Sequence, residues 1–251
     1  MNRPLRAGAS FTAVVLLLAA VPAALAAQAV NRTRPPALGL APALRVPPVQ
    51  TATLPNGLQL AVVEMHKVPV VDVTLMLDAG AVADPADLPG LATFTANMLD
   101  EGAGRRSALE LAEEADFLGA RLSTSASYDG AAVGLHVPKR QLGPALDLMA
   151  DVVLRPAFAD SEITRQRDLR RTQILQQRDQ PVAMAGLAFP AIVFGAQHPY
   201  GRAIGGTEAS TASLNRDRVN QFYQAHYRPG GAKLLIVGDI TLAEAQQLVS
   251  A

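Results

Sequence analysis

Apolar positions along this chain follow two periods, alternation by two and recurrence at every third or fourth residue, and the two kinds of stretch succeed one another from residue 50 onward. Residues 51–54 and 58–64 flank Pro55-Asn56-Gly57, which predicts a hairpin because Asn-Gly accepts the positive φ of a tight turn. Residues 70–77 alternate valine and leucine against other side chains and predict a third strand, stopped by Asp78-Ala79-Gly80. In residues 89–101, PGLATFTANMLDE, the period changes. Leu91, Phe94 and Met98 recur at helical spacing and Leu99 widens the stripe, so a buried or half-buried helix is expected. Ser107 is placed to cap a helix over 108–118, with Glu110 in the first turn where the helix dipole favours negative charge, and Gly119 stops it. Alternation resumes over 121–128 and 131–137 around Asp129-Gly130, a second hairpin. Residues 141–154 set Leu142, Leu146, Met149 and Val153 on one helical side before Pro156. Residues 161–178 are charged and helical in character, 186–194 are short and apolar, 215–226 give another helix, 233–240 an apolar strand, and 242 onward a last helix. Strands in hairpins with helices between them predict an α+β fold, an antiparallel sheet packed by helices, rather than a doubly wound parallel sheet.

Ahead of residue 50 the pattern is different. Arg3 and Arg6 precede an apolar run over 13–26 that Pro22 interrupts, and Ala24, Ala26 and Ala27 supply small residues at its end. This is the layout of a cleavable secretory signal over 1–26, too short for a stable membrane span, and it predicts a periplasmic or secreted protein. Residues 27–49 are rich in proline and alanine without a sustained period and read as an extended linker, which leaves 50–251 as the folded domain. With 49% apolar residues the chain has ample material for a core. Its 22 basic and 22 acidic side chains point neither to nucleic acid nor to an anionic membrane surface, and loss of a leader carrying Arg3 and Arg6 leaves the remainder mildly acidic. No cysteine is present, which excludes disulfides, thiol catalysis and thiolate metal sites.

Six stretches between residues 51 and 241 succeed one another in a fixed order: TLPNGLQLAVVE, the strand ending in DAG, PGLATFTANMLDEGAGRRS, FADSEITRQRDLRRTQILQQRDQP, HPYGRAIGGTEAS and YRPGGAKLLIVGDIT. Together they resemble the N-terminal half of the insulinase or pitrilysin family of peptidases, the group that includes mitochondrial processing peptidase. In these inverted zinc peptidases a helix carries His-x-x-Glu-His, two histidines that hold zinc and a glutamate that activates the bound water. Carried across position by position, the two histidines fall on Thr93 and Asn97, the glutamate base on Ala96, and the distal zinc glutamate on Gln173, with Thr172 as the neighbouring alternative. A hydroxyl or an amide is a far poorer zinc donor than an imidazole or a carboxylate, and alanine cannot take a proton.

The resemblance therefore implies no zinc, no other cofactor and no catalytic residue in this chain. It implies a non-catalytic subunit of an exported peptidase complex, one member of a heterodimer, that helps hold a polypeptide substrate or close a chamber for an active, zinc-bearing partner. The alternatives are an active zinc metalloendopeptidase with a non-standard site, and a purely structural subunit like the core proteins of a respiratory complex. The family architecture carries a second, similar half, so a longer protein or a separate polypeptide is expected to supply it.

Other candidate chemistry is weaker. His66, His136, His198 and His226 share no local ligand spacing and read as structural or surface residues. Asp78, Asp84, Asp87, Asp100 and Glu101 lie near the altered helix, where carboxylates usually cap or are solvated. Arg165, Arg167, Arg170 and Arg171, interleaved with Glu162 and Asp168, read as a solvated helix face with local ion pairs. Ser123, Ser125 and Ser127 share a strand face without a nucleophile elbow, and the glycines of 201–206 lack the lysine and helix of a phosphate loop.

Overall fold

Alternating side chains build the centre of the molecule. In the computed structural model, which describes residues 46–250 together with Gly39 and Ala43, strands β1 (Gln50–Thr53), β2 (Gln59–Glu64), β3 (Val70–Leu77), β4 (Arg121–Ala126), β5 (Ala131–Pro138) and β6 (Lys233–Gly238) form a single sheet in the order β1-β2-β6-β3-β5-β4. The leader expected over 1–26 lies outside the described residues, as does most of the linker expected over 27–49. Val71, Val73, Leu75 and Leu77 of β3, Val133, Leu135 and Val137 of β5, and Leu234 and Ile236 of β6 are buried on one face. Their neighbours Asp72 and Met76 are exposed on the other, as a period of two requires.

The fold is α+β. Four of its strand pairings are antiparallel, and β2 with β6 is parallel. The parallel pair arises because β6, arriving after the helices, inserts between β2 and β3 instead of adding to an edge. At the first hairpin only Gly57 takes a positive φ, 87°; Pro55 and Asn56 occupy the centre of a turn closed by the Gly57 N–H on the Leu54 carbonyl.

Helices α1 (Leu91–Asn97), α2 (Ala108–Leu118), α3 (Leu142–Leu154), α4 (Asp160–Gln177), α5 (Pro181–Phe194), α6 (Glu208–Ala212), α7 (Arg216–His226) and α8 (Leu242–Val249) complete the described fold. Helix α1 is shorter than the stretch 89–101 suggested, since residues 98–101 leave it as a turn. It lies against β4, β5 and α7, and Leu91, Phe94, Met98 and Leu99 join the core. Helix α2 has the cap its sequence announces. The Ser107 hydroxyl accepts from the Glu110 N–H, Glu110 accepts from the Ser107 N–H, and Gly119 closes the far end at φ 63°. Helix α3 begins at Leu142 after a short 3₁₀ turn over Lys139–Gln141.

Helices α4 and α5 are built differently. Over its 18 residues α4 buries only Ile163, and the 14-residue α5, which starts at Pro181 rather than near Gly186, buries none. Among the described residues no helix is long and apolar enough to cross a membrane.

Candidate functional site

The N-terminal end of α1 is held by a carboxylate. Asp84, 6% exposed, accepts from the Gly90 N–H at 2.7 Å and the Ala92 N–H at 2.7 Å, satisfying donors that a first helical turn leaves open. Burial pushes its carboxyl up to about 6, while those N–H groups and nearby Arg202 favour the charged form. Gly90 has φ 93°, and a Cβ there would meet the Gly206 backbone nitrogen at 2.6 Å, so the entry to α1 crosses the 205–206 backbone at a distance only glycine permits.

That crossing places one side of α1 over a small hollow. Thr93 and Asn97, one helical turn apart, face it, and α4 brings Gln166, Arg170 and Gln173 to the opposite wall. The cavity is about 50 Å³ and Gly205 lines its floor. The structure thus brings Thr93, Asn97 and Gln173 together. Thr172 is elsewhere, exposed, with its hydroxyl donating to the Asp168 carbonyl at 2.9 Å. Ala96, fully buried, faces the core and not the hollow.

Arg170 departs from its sequence reading. Arg165 pairs with Glu162 and Glu101, and Arg171 with Glu208, as a charged solvated helix face would. Arg170 instead turns inward. Its Nε donates to the Gly205 carbonyl at 2.7 Å and its Nη1 to Gln173 Oε1 at 3.4 Å, while Nη2 lies 1.2 Å from where a Cβ on residue 205 would stand. Burial lowers its pKa with no carboxylate contributing. An arginine remains charged even so, and the hollow therefore contains a cation of the protein's own. The signal that could have revealed this residue is its helical spacing, one turn from Gln166 and from Gln173.

These residues do not fit zinc. Asn97 and Gln173 offer amides, the Thr93 hydroxyl proton is engaged by the Ile204 carbonyl at 2.8 Å, and a guanidinium stands beside them. Nor do the histidines substitute. His66 bonds Asp239 at 2.6 Å, His136 bonds Asp72 at 2.7 Å, His198 accepts from the Tyr200 N–H, and His226 packs on Phe222. Among the described residues no group of three or more His, Cys, Asp or Glu is arranged to hold a metal ion.

Two further features lie on the β4 side of α1. Strand β4, which packs against α1, is the last strand of the sheet, so one row of its backbone N–H and C=O groups has no strand partner among the described residues. A groove of about 440 Å³ runs between α2 and β4, lined by Asp100, Leu111, Asp116, Arg121 and His136 among others. Asp100 accepts from the Thr124 hydroxyl there, and burial raises its pKa.

A family model described as insulinase (peptidase family M16) matches residues 60–208, and a second, described as peptidase M16 inactive domain, matches residues 213–251. An uncharacterized zinc protease of Mycobacterium leprae is 28% identical over 197 residues, which are 78% of this chain and 44% of that protein. The probable mitochondrial-processing peptidase subunit beta of Arabidopsis thaliana is 26% identical over 208 residues, 82% of this chain and 39% of that one. Among solved structures, the peptidase M16 inactive domain from Pseudomonas fluorescens superposes with a TM-score of 0.78 at 27% identity, over 81% of this chain and 49% of that one. The periplasmic protease PqqL from Escherichia coli gives 0.73 at 20% identity over 80% and 23%, a likeness of fold. The chain spans less than half the length of these curated relatives.

Proposed function

Because the chain belongs to the insulinase family, peptidase family M16, we propose that it is a non-catalytic member, serving an active zinc peptidase by holding extended polypeptide or closing the space around it. The observation that carries this reading is the composition of the hollow under α1. Where the family resemblance puts two histidines and a glutamate, Thr93, Asn97 and Gln173 converge around the Arg170 guanidinium, and the position of the base is a buried alanine, Ala96. Neither of the two tasks of such a site, gripping the ion and generating hydroxide, has a residue to perform it.

The open edge of β4 supports the holding role. An extended peptide can add to such an edge through main-chain hydrogen bonds, and the adjoining groove offers space for its side chains. The leader-like pattern expected over 1–26 supports export, and the shared length with relatives about twice as long supports a companion half, on a longer protein or a separate chain.

The experiment is metal analysis and cleavage of an unfolded polypeptide by the purified protein, alone and mixed with a family member bearing the complete motif. No bound zinc, no cleavage alone, and altered cleavage or stable association with the active member are expected. Stoichiometric zinc with turnover that a chelator abolishes would overturn the reading.

A further inference from the structure

Arg170 is the anomaly in the hollow. A guanidinium has five N–H donors in a planar fork. Here Nε is engaged by the Gly205 carbonyl and Nη1 by Gln173 Oε1 at a long 3.4 Å, and no carboxylate contributes to its ionisation. Of the other arginines on α4, Arg165 has Glu162 and Glu101 and Arg171 has Glu208, while Arg167 reaches only the Leu214 carbonyl at 3.4 Å and does not line the wall of the hollow. A half-buried charge without a counter-charge is costly unless something of opposite sign visits it.

The surrounding groups agree with that sign. Gln173, with its oxygen directed to Arg170, has its amide N–H₂ to give, and Asn97 offers another amide across a cavity of about 50 Å³. That volume admits a head group of a few heavy atoms, larger than the single water that ~15 Å³ would hold. A planar two-oxygen anion matches the arginine fork, which suits carboxylates bidentately.

We propose that the hollow between α1 and α4 binds a carboxylate, received by Arg170 with Gln173 and Asn97 as neutral donors. The site that in the resembled enzymes takes a cation takes an anion in this chain. The carboxylate is the C-terminus of a peptide or an acidic side chain of one, and the two sources are separable by experiment. The assignment stands on the hollow's own residues and holds whether or not the chain serves a catalytic partner.

The test is fluorescence polarisation with the full chain and three probes labelled at the N-terminus with a neutral dye that bears no carboxylate: tetra-alanine with a free C-terminus, the same peptide as its C-terminal amide, and an amidated peptide with one alanine replaced by aspartate. Saturable binding of the free acid, weakened at least about tenfold by amidation, identifies a chain terminus; recovery with the aspartate peptide identifies a side-chain carboxylate. Gln173→Glu, an exposed substitution that places an internal anion beside Arg170, should abolish binding, and Arg170→Lys, which keeps the charge and loses the fork, should weaken it several-fold, by roughly three to ten. Equal binding of acid and plain amide, no saturable binding of either carboxylate probe, or retention of full affinity in Gln173→Glu would overturn the proposal. Circular dichroism of each variant separates loss of binding from loss of fold.

Discussion

The Arg170 guanidinium occupies the space a side chain on residue 205 would need, bonding the Gly205 carbonyl at 2.7 Å as it does so. Two glycines near the hollow should therefore respond differently to the same substitution. At Gly205 the obstructing atom is the far end of a flexible side chain, so Gly205→Ala should cost about 1 kcal/mol or less and swing Arg170 outward. At Gly90 the obstruction is the Gly206 backbone at 2.6 Å and φ is 93°, so Gly90→Ala should cost about 2–3 kcal/mol. Urea denaturation of both variants measures the contrast; equal losses would contradict it.

Asp84 gives the protein a distinctive pH response. Its folded carboxyl titrates at about 6 against an ordinary 3.8, so the contribution is fully present below pH ~3.8 and is lost as pH rises through about 6. The shift corresponds to at most about 3 kcal/mol. Glu64, Glu110 and Asp239, held below their usual range, act in the opposite direction, so the comparison to make is wild type against Asp84→Asn. The stability difference between them should shift by about 1–3 kcal/mol in favour of the variant as pH goes from 4 to 7. A constant difference over that range would show that the carboxyl is not displaced.

Restoring the family's ligands should not by itself restore metal binding. The triple substitution Thr93→His, Asn97→His and Gln173→Glu leaves Arg170 pointing into the hollow. Adding Arg170→Ala should tighten zinc at least about tenfold, because it removes a fixed positive charge a few ångströms from the ion. Zinc competition against a chelating dye reads both affinities, and equal values would mean that the guanidinium moves aside freely.

Thr95 is fully buried in α1 and its hydroxyl has no hydrogen-bond partner among the described residues. Thr95→Val removes that unsatisfied group at nearly the same volume and should leave stability unchanged or raise it by about 1 kcal/mol, read from the urea midpoint. A loss above about 1 kcal/mol would reveal a partner for the hydroxyl.

Local chemistry made much of this fold legible. Ser107, Glu110 and Gly119 mark both ends of α2, and the alternation of Val71, Val73, Leu75 and Leu77 gives the buried face of β3. The place of β6 was not legible, because alternation tells which face of a strand is buried and not which strands it will lie between. The sheet is consequently mixed. At the hollow, the motif frame fixed Thr93 and Asn97 on one side of a helix, but α4 has polar and charged residues on every side and buries only Ile163. No apolar stripe says which way that helix faces, so only its spacing from Gln166 and Gln173 sets Arg170 apart from Arg165 and Arg171, and its bond to the Gly205 carbonyl is not readable from the sequence.

Helix α5 affects how the protein will behave at the bench. Among the described residues Val182 is 87% exposed, Ile192 81% and Phe189 66%, which leaves a greasy ridge uncovered on this chain when it is purified alone. A dye that brightens on oily surfaces would glow before any heating began, so melting curves taken that way would start from a raised, sloping baseline. Backbone circular dichroism escapes that interference, and mild detergent or a hydrophobic column would distinguish this polypeptide from ordinary proteins of its size.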